Sequence, residues 1–488
     1  MSTYLGIDIG TSSVKTVLMD AAQSVLASAT TPLTVQRPQP RWSEQDPDAW
    51  WQATEHSLDQ LAVSHGRHLS AVEGIGLSGQ MHGATLLDRD NKPLRHCILW
   101  NDGRSSDECA ELERRCPGSR EISGNLAMPG FTAPKLMWVQ AHEPEVFDRV
   151  AMVLLPKDYV RLHLTGEAVS DMSDSAGTLW MDVANRRWSD DLLAATNMSA
   201  GQMPRLVEGS QAGGRLRDDL AKRWGMIKRP VVAGGGGDNA ASACGVGVVR
   251  PDTAFLSLGT SGVLFVSNAG YSPNTAEAVH AFCHAVPDTW HQMGVILSAT
   301  ASLDWFAGLV AAAPDDLTAE LSDDIGAPGH IQFSPYLSGE RTPHNDAGAR
   351  GNILGINHDT SRPDLTRGIL QGVAFAFRDC LGALENAGAR IDEVIAVGGG
   401  SRSRVWMKTI ATALQLPIHV PAASDFGAAF GAARLGLLAT TGDDTASVCT
   451  PPPITETIEP DPAFVTAYHD AWGQYRSIYP ALKEVMAT

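Results

Sequence analysis

A chain of 488 residues is too long for one ordinary hydrophobic core, so two or three domains are expected. Hydrophobic residues make up 43% and charged residues 19%, a globular balance that excludes a disordered or fibrous chain. The net charge of -18, with no block of lysines and arginines, makes nucleic acid and anionic membrane unexpected partners. The uncharged stretch 254–276 carries glycines, serines, asparagines and a proline, so it is not read as a membrane span. The chain enters Tyr4-Leu5-Gly6-Ile7 without a basic region and apolar leader, and a cytoplasmic protein is expected. Its 7 cysteines form no Cys-x-x-Cys pair and are read as free thiols.

The first elements read as a β-hairpin, Tyr4 to Ile7 and Val14 to Leu18, around Asp8-Ile9-Gly10-Thr11-Ser12-Ser13. Such a turn offers backbone N–H groups and hydroxyls to a phosphate, and Asp8 adds a carboxylate where Mg²⁺ could sit through water. Next comes a helix from Pro47 to about Ser64, with Asp46 as its N-cap. A strand from Val72 to Leu77 ends in the turn Ser78-Gly79-Gln80-Met81-His82-Gly83, where an exposed His can hydrogen-bond a hydroxyl. Taken alone, that His reads more readily as structural. Trp100-Asn101-Asp102-Gly103-Arg104 clusters polar side chains at a strand end, where α/β sheets bind ligands. A helix over 132–142, a strand over 150–155, a turn at Pro156-Lys157-Asp158-Tyr159 and a polar loop over 170–178 follow.

Near the midpoint, Val231-Val232-Ala233 runs into four glycines and then Asp238-Asn239. This reads as a buried strand, a turn without side chains, and a carboxylate at a helix N-terminus. The helix end favours the anion, so Asp238 is expected to be ionised at neutral pH and able to act as a general base. An N-cap at a hinge explains the same residues about as well. A second strand, Gly-Thr-Ser, strand unit spans Ala254 to Val266; aligning Gly259 on Gly10 sets Ser257 opposite Asp8, as in a diverged duplication.

The remaining readings are a strand over 290–297, a helix over 302–310, a polar stretch over 311–329 and a loop over 335–343. A long helix over 364–387 precedes the strand Val394 to Val397. That strand ends in Gly398-Gly399-Gly400-Ser401-Arg402-Ser403, where close backbone approach suits an adenine or ribose. Residues 425–433 read as a small-residue packing helix, 441–458 as a linker, and the chain from Pro462 as a closing helix.

With these pieces in order, the chain resembles the FGGY carbohydrate kinases over nearly its whole length. The resemblance rests on Asp8-Ile9-Gly10-Thr11-Ser12, Trp42 to Pro47, Gln80-Met81-His82-Gly83, Trp100 to Arg104, Gly236 to Asn239, Leu258 to Gly262, Tyr336 to Arg341 and Gly398-Gly399-Gly400. It implies an α/β, two-lobed actin-like ATPase (ribonuclease H-like) fold with duplicated domains around a cleft: 1–248 for the sugar, 249–440 for the nucleotide, 441–488 closing the chain.

The implied reaction is ATP-dependent phosphorylation of D-xylulose at its C5 hydroxyl with Mg²⁺, with a homodimer as a candidate assembly. Asp238 and Asp8 are the catalytic candidates. Met81, His82, Asn239, Trp100, Asp102 and Arg104 are expected on the sugar. Gly10, Thr11, Ser12, Gly259, Thr260, Ser261, Gly399, Gly400 and Ser403 are expected on the nucleotide. Alternatives are a kinase for ribulose or glycerol, an actin-like ATPase indifferent to sugar, or a non-catalytic sugar sensor. The run before Asp238 holds one glycine more than the family pattern.

Overall fold

A computed structural model describes residues 2–321, 323, 325–422 and 427–486. The first lobe is built on strands β1 (Thr3–Ile9), β2 (Ser13–Asp20), β3 (Val25–Pro32), β4 (Val72–Gly79), β5 (Ala212–Arg215) and β6 (Val231–Ala233). They lie in the order β5-β6-β4-β1-β2-β3, and Gly236–Gly237 adds a short seventh strand beside β4. The second lobe has β7 (Ala254–Leu258), β8 (Gly262–Asn268), β9 (His280–Cys283), β10 (Trp290–Ile296), β11 (Val394–Val397), β12 (Ile418–Pro421) and β13 (Ile454–Ile458), ordered β9-β10-β8-β7-β11-β12-β13.

The two sheets repeat one plan. Strands β3-β2-β1-β4-β6-β5 match β10-β8-β7-β11-β12-β13 step for step: antiparallel, antiparallel, parallel, parallel, antiparallel. The duplication read from two Gly-Thr-Ser turns therefore extends to whole sheets. β1 is buried almost continuously: Leu5, Ile7 and Ile9 on one face have no exposure and Thr3 and Tyr4 are buried too, as expected for a strand covered on both faces.

Among the first-lobe helices are α1 (Pro47–Leu69), α2 (Thr132–His142), α3 (Pro156–Thr165), α4 (Met172–Ala176) and α5 (Asp238–Val246). In the second half come α6 (Thr300–Leu309), α7 (Arg362–Asn386), α8 (Arg404–Leu414), α9 (Ala428–Thr441) and α10 (Val465–Met486). Asp46 caps α1 through the Asp48 N–H, as expected; the backbone leaves helical geometry at His65, next to the expected end at Ser64, and a further turn carries on to Leu69.

Two readings need correction. Pro156-Lys157-Asp158-Tyr159 opens α3 rather than forming a turn, because Pro suits a first helical position and the charged residues neutralise one another inside the protein. The expected linker over 441–458 contains β13, the edge strand of the second sheet, paired antiparallel with β12.

Helix α9 crosses back to the first sheet. A Cβ on Gly6 would lie 1.8 Å from the Ala429 carbonyl oxygen, and one on Gly76 would lie 1.7 Å from that of Ala432. Its small residues thus serve tight packing; Asp425 and Phe426, included in that reading, lie outside the described residues. One apolar core joins the lobes, including Met81, Phe131 and Trp180 from the first and Phe255, Phe282 and Met293 from the second. Among the described residues no helix is long and apolar enough to cross a membrane, and all seven cysteines are free and buried.

Candidate active site

The glycine run is held from beneath by buried charge. Arg161 on α3 donates to the Ala233 carbonyl and, at 2.5 Å, to that of Gly234. Gly235 takes φ +77°, and the Gly237 N–H donates to Ser173 Oγ at 3.1 Å. Ser173 Oγ donates in turn to Asp171 at 2.5 Å. Lys157 Nζ lies 2.6, 2.7 and 3.2 Å from carboxylate oxygens of Asp158, Asp171 and Asp174, all with no exposure. Burial drives Asp174 well above the usual carboxylate range against the pull of Lys157. Asp171 also caps α4, and the aspartates of 170–178 thus lock the path that delivers Asp238.

Asp238 is the first residue of α5, and its Oδ1 accepts from the Asn239 N–H at 2.7 Å and from Asn239 Nδ2 at 2.9 Å. Burial, then the charge of Asp8, raises its pKa to about 6, against those hydrogen bonds. The expected lowering by the helix end is outweighed, yet the carboxylate is still mostly ionised at pH 7. Asp8 sits at the end of β1, not in the turn, and its buried Oδ1 has no hydrogen-bond partner. Burial raises its pKa, opposed by Ser78 and Lys15. Strand β4 separates β1 from Gly236–Gly237, so the Asp8 and Asp238 backbones stand about 10 Å apart.

Asp238 and Asn239 line an inner cavity of about 180 Å³ between the lobes. The first lobe adds Met81, His82, Trp100 and Phe131; the second adds Ser261, His280, Phe282 and Arg341. His82 takes φ +69°, and its Nδ1 lies 2.6 Å from the Gly177 carbonyl oxygen. Burial is the main cause lowering its pKa to about 3, so the ring is neutral. Nδ1 therefore carries the proton, and Nε2 is left as an acceptor. Lys135 Nζ holds the His82 carbonyl at 2.8 Å.

An outer cleft of about 750 Å³ lies in the second lobe, lined by Gly259, Thr260, Asp304, Gly399, Gly400 and Ser403, among others. Ser403 Oγ is buried without a partner, and a Cβ on Gly400 would meet Leu258 at 2.6 Å. The second Gly-Thr-Ser turn borders both spaces: Gly259 and Thr260 face the cleft, while Ser261, expected with the nucleotide, lines the inner cavity. Gly10, Thr11 and Ser12 stand outside the cleft's lining. Thr11 Oγ1 donates to Gln80 Oε1 and accepts from Trp100 Nε1, each at 3.0 Å, which ties the first turn to the inner cavity.

Asp102 and Arg104, expected on the sugar, are not among the residues that line the inner cavity. Arg104 bonds Asp102 and Glu44 at 2.7 Å each and lies 3.6 Å over the Trp42 ring. Asp102 accepts from the Ser43 N–H at 2.6 Å. Both side chains are buried, where a charge must be paired, and together they fasten the 41–45 segment to the 99–104 loop. Sequence reasoning missed the second-lobe wall. Its signal was present as strand alternation, since His280 and Phe282 sit two apart on β9 and both line the cavity.

The profiles of the FGGY family of carbohydrate kinases match here in two parts, the N-terminal domain over residues 3–245 and the C-terminal domain over 254–440. A xylulose kinase of Escherichia coli is 47% identical, over 99% of this chain and 100% of its own length. A solved xyloylose kinase from Brucella ovis superposes with a TM-score of 0.97 at 56% identity, covering 99% of this chain and 100% of that one. A xylulose kinase from Rhodospirillum rubrum gives a TM-score of 0.91 at 30% identity, with both chains covered in full. With both domain profiles matched in order and relatives aligned end to end, the chain belongs to the FGGY family of carbohydrate kinases.

Proposed function

We propose that this kinase transfers the γ-phosphoryl group of ATP to the C5 hydroxyl of D-xylulose, giving D-xylulose 5-phosphate and ADP. The observation that carries the reading is the junction of the two spaces. Asp238, the one carboxylate among the described residues that line the inner cavity, shares that lining with Ser261, whose turn also borders the outer cleft. A cavity of about 180 Å³ suits a monosaccharide, and one of about 750 Å³ suits a nucleotide. The similarity to xylulose kinases supports D-xylulose as the sugar.

Phosphoryl transfer asks the protein for positioning and charge stabilisation more than for covalent chemistry. Asp238 accepts the proton as the sugar hydroxyl attacks, and Asn239 fixes its Oδ1 so that Oδ2 is left for the hydroxyl. His82 Nε2 accepts from a second hydroxyl. Met81, Phe131 and Phe282 exclude water from the bound sugar. Gly399, Gly400 and the unpartnered Ser403 hydroxyl receive the nucleotide.

Mg²⁺ fits at Asp8, whose free Oδ1 offers one carboxylate to an ion that otherwise keeps water and phosphate ligands. Among the described residues no cluster of three His, Cys, Asp or Glu forms an all-protein cage. When bound, the ion would neutralise phosphate charge. A coupled ADP-release assay over D-xylulose, D-ribulose, L-ribulose and glycerol tests the reading. The highest kcat/KM is expected for D-xylulose; a higher value for another acceptor would reassign the substrate.

A further inference from the structure

Arg341 enters the inner cavity from a loop fastened on both sides. The Glu340 carboxyl accepts from the Leu297 N–H at 3.0 Å and the Arg341 N–H at 2.8 Å. The Thr342 N–H donates to the Val295 carbonyl at 3.0 Å, and its hydroxyl donates to that of Ala278 at 3.0 Å. The guanidinium so delivered is a buried charge whose pKa is lowered by that burial. Among the described residues no carboxylate lies within ion-pair distance of it, and burial drives the adjoining Glu340 up to about 8, leaving that carboxyl mostly neutral. Its side-chain hydrogen bond is to His280 Nε2, at 3.3 Å.

The proton positions along this contact are determined by the first lobe. Asn125 gives both Nδ2 protons to carbonyl oxygens, those of Ser123 at 2.8 Å and Ala281 at 2.9 Å. Its Oδ1 can therefore only accept, which puts the proton of His280 on Nδ1, 3.0 Å away. His280 Nε2 is then a lone pair, and Arg341 donates to it. Among the described residues the remaining N–H donors of the guanidinium have no protein acceptor, although the group lines a partly closed space. Its charge helps keep His82 neutral, whereas the charge that raises Asp238 is that of Asp8. His280 and His82 both pack against Phe131 and Phe282, with ring centroids 4.6–6.2 Å apart, so Arg341, bonded to His280, lies on the His82 side of the cavity.

We infer that Arg341 is a sugar-recognition residue supplied by the second lobe, donating to oxygens remote from the reacting hydroxyl, with His280 and Asn125 as the positioning pair that aims it across the lobe boundary. This rests on the kinase reading above. A planar fork favours two neighbouring oxygens, so a ketose presenting a carbonyl beside a hydroxyl is bound better than a polyol.

The test is calorimetric Kd for the sugar, ATP KM, kcat and melting temperature in full-length Arg341→Gln, Arg341→Lys and Asn125→Ala. For Arg341→Gln the sugar Kd should rise about 10- to 150-fold, with ATP KM within about twofold and no fall in melting temperature. Arg341→Lys should fall between. Asn125→Ala, which leaves the guanidinium in place but frees His280, should raise the sugar KM more than it lowers kcat. A folded Arg341→Gln with unchanged sugar Kd, or with ATP affinity lost in parallel, overturns the inference. If Arg341→Gln does not fold, an unchanged sugar Kd in both other variants overturns it equally. If wild type prefers another acceptor, the same comparison is made with that acceptor: the substrate reading then fails while the Arg341 inference is still decided.

Discussion

Burial, more than local sequence, sets the chemistry of the individual residues. Asp238 has its pKa raised to about 6, so the folded protein bears the cost of its charge at any pH above that value. The unfolded chain titrates near 3.8, and the strain is absent below about pH 4, where the group is protonated in both states. Asp238→Asn should therefore raise the melting temperature at pH 8, by up to about 2–3 kcal/mol of stability, and much less at pH 4. The same change should lower kcat about 10²- to 10⁴-fold while ATP still binds; near-normal turnover would remove Asp238 from the mechanism. In the wild type, kcat/KM for the sugar should fall tenfold per pH unit below about 6, and an acid limb at the ordinary carboxylate value would contradict the burial argument. Gly177 is a further lever at this scale. A Cβ there would lie 2.6 Å from the His82 ring and 2.9 Å from Met81, without backbone strain. Gly177→Ala should weaken sugar binding about 5- to 150-fold and leave ATP KM alone, read by calorimetry beside steady-state kinetics.

Among the elements, α9 shows what glycine accomplishes when two backbones meet. The helix lies so close to β1 and β4 that Gly6, Gly74 and Gly76 each face a main-chain carbonyl within 2.2 Å of a hypothetical Cβ. No rotamer relieves such a contact; helix and sheet must separate. Gly76→Ala is expected to cost about 1–3 kcal/mol, or to prevent folding, measured as a lower urea midpoint. An unchanged midpoint would mean that α9 sits farther from the sheet. The closing helix α10 has a comparable role in the second lobe. Tyr475 bonds Tyr336 at 3.0 Å, Tyr479 bonds Asp346 at 2.7 Å, and the Tyr479 and His344 rings stack at 3.8 Å. These contacts brace the loop that carries Arg341 from the side remote from the cavity.

For the whole molecule, two lobes do not mean two independent folding units. The shared core draws apolar residues from both lobes, and α9 binds the end of the second half to the first sheet. Polar ties follow the same seam: Tyr271 donates to the Glu121 carbonyl at 2.6 Å, and Trp290 to that of Val183 at 2.8 Å. Calorimetry should accordingly show one unfolding transition. Sugar at a hundred times its Kd should move that whole transition upward, by about 2.7 kcal/mol at 25 °C. Two separated peaks, with only one shifted by sugar, would show that the seam is weaker than its contacts imply.

The sequence by itself determined the parts whose physics is local. A Gly-Thr-Ser turn between apolar strands is a hairpin wherever it stands, Pro after Asp starts a helix, and an apolar strand running into glycines delivers the next residue to a sheet end. Hence both hairpins, the capped start of α1, the position of Asp238 and the family resemblance could be read from adjacent residues. Tertiary structure alone decided what depends on distant partners. Asp102 and Arg104 read as ligand contacts until Glu44 and Trp42 take them up; 441–458 reads as a linker until β12 offers it an edge. His280 and Arg341 have no visible role until Asn125, 155 positions before the histidine, fixes its proton. The pKa of Asp238 belongs here too, because desolvation comes from everything that surrounds a group, whereas the helix end that was expected to lower it is written in the neighbouring residues.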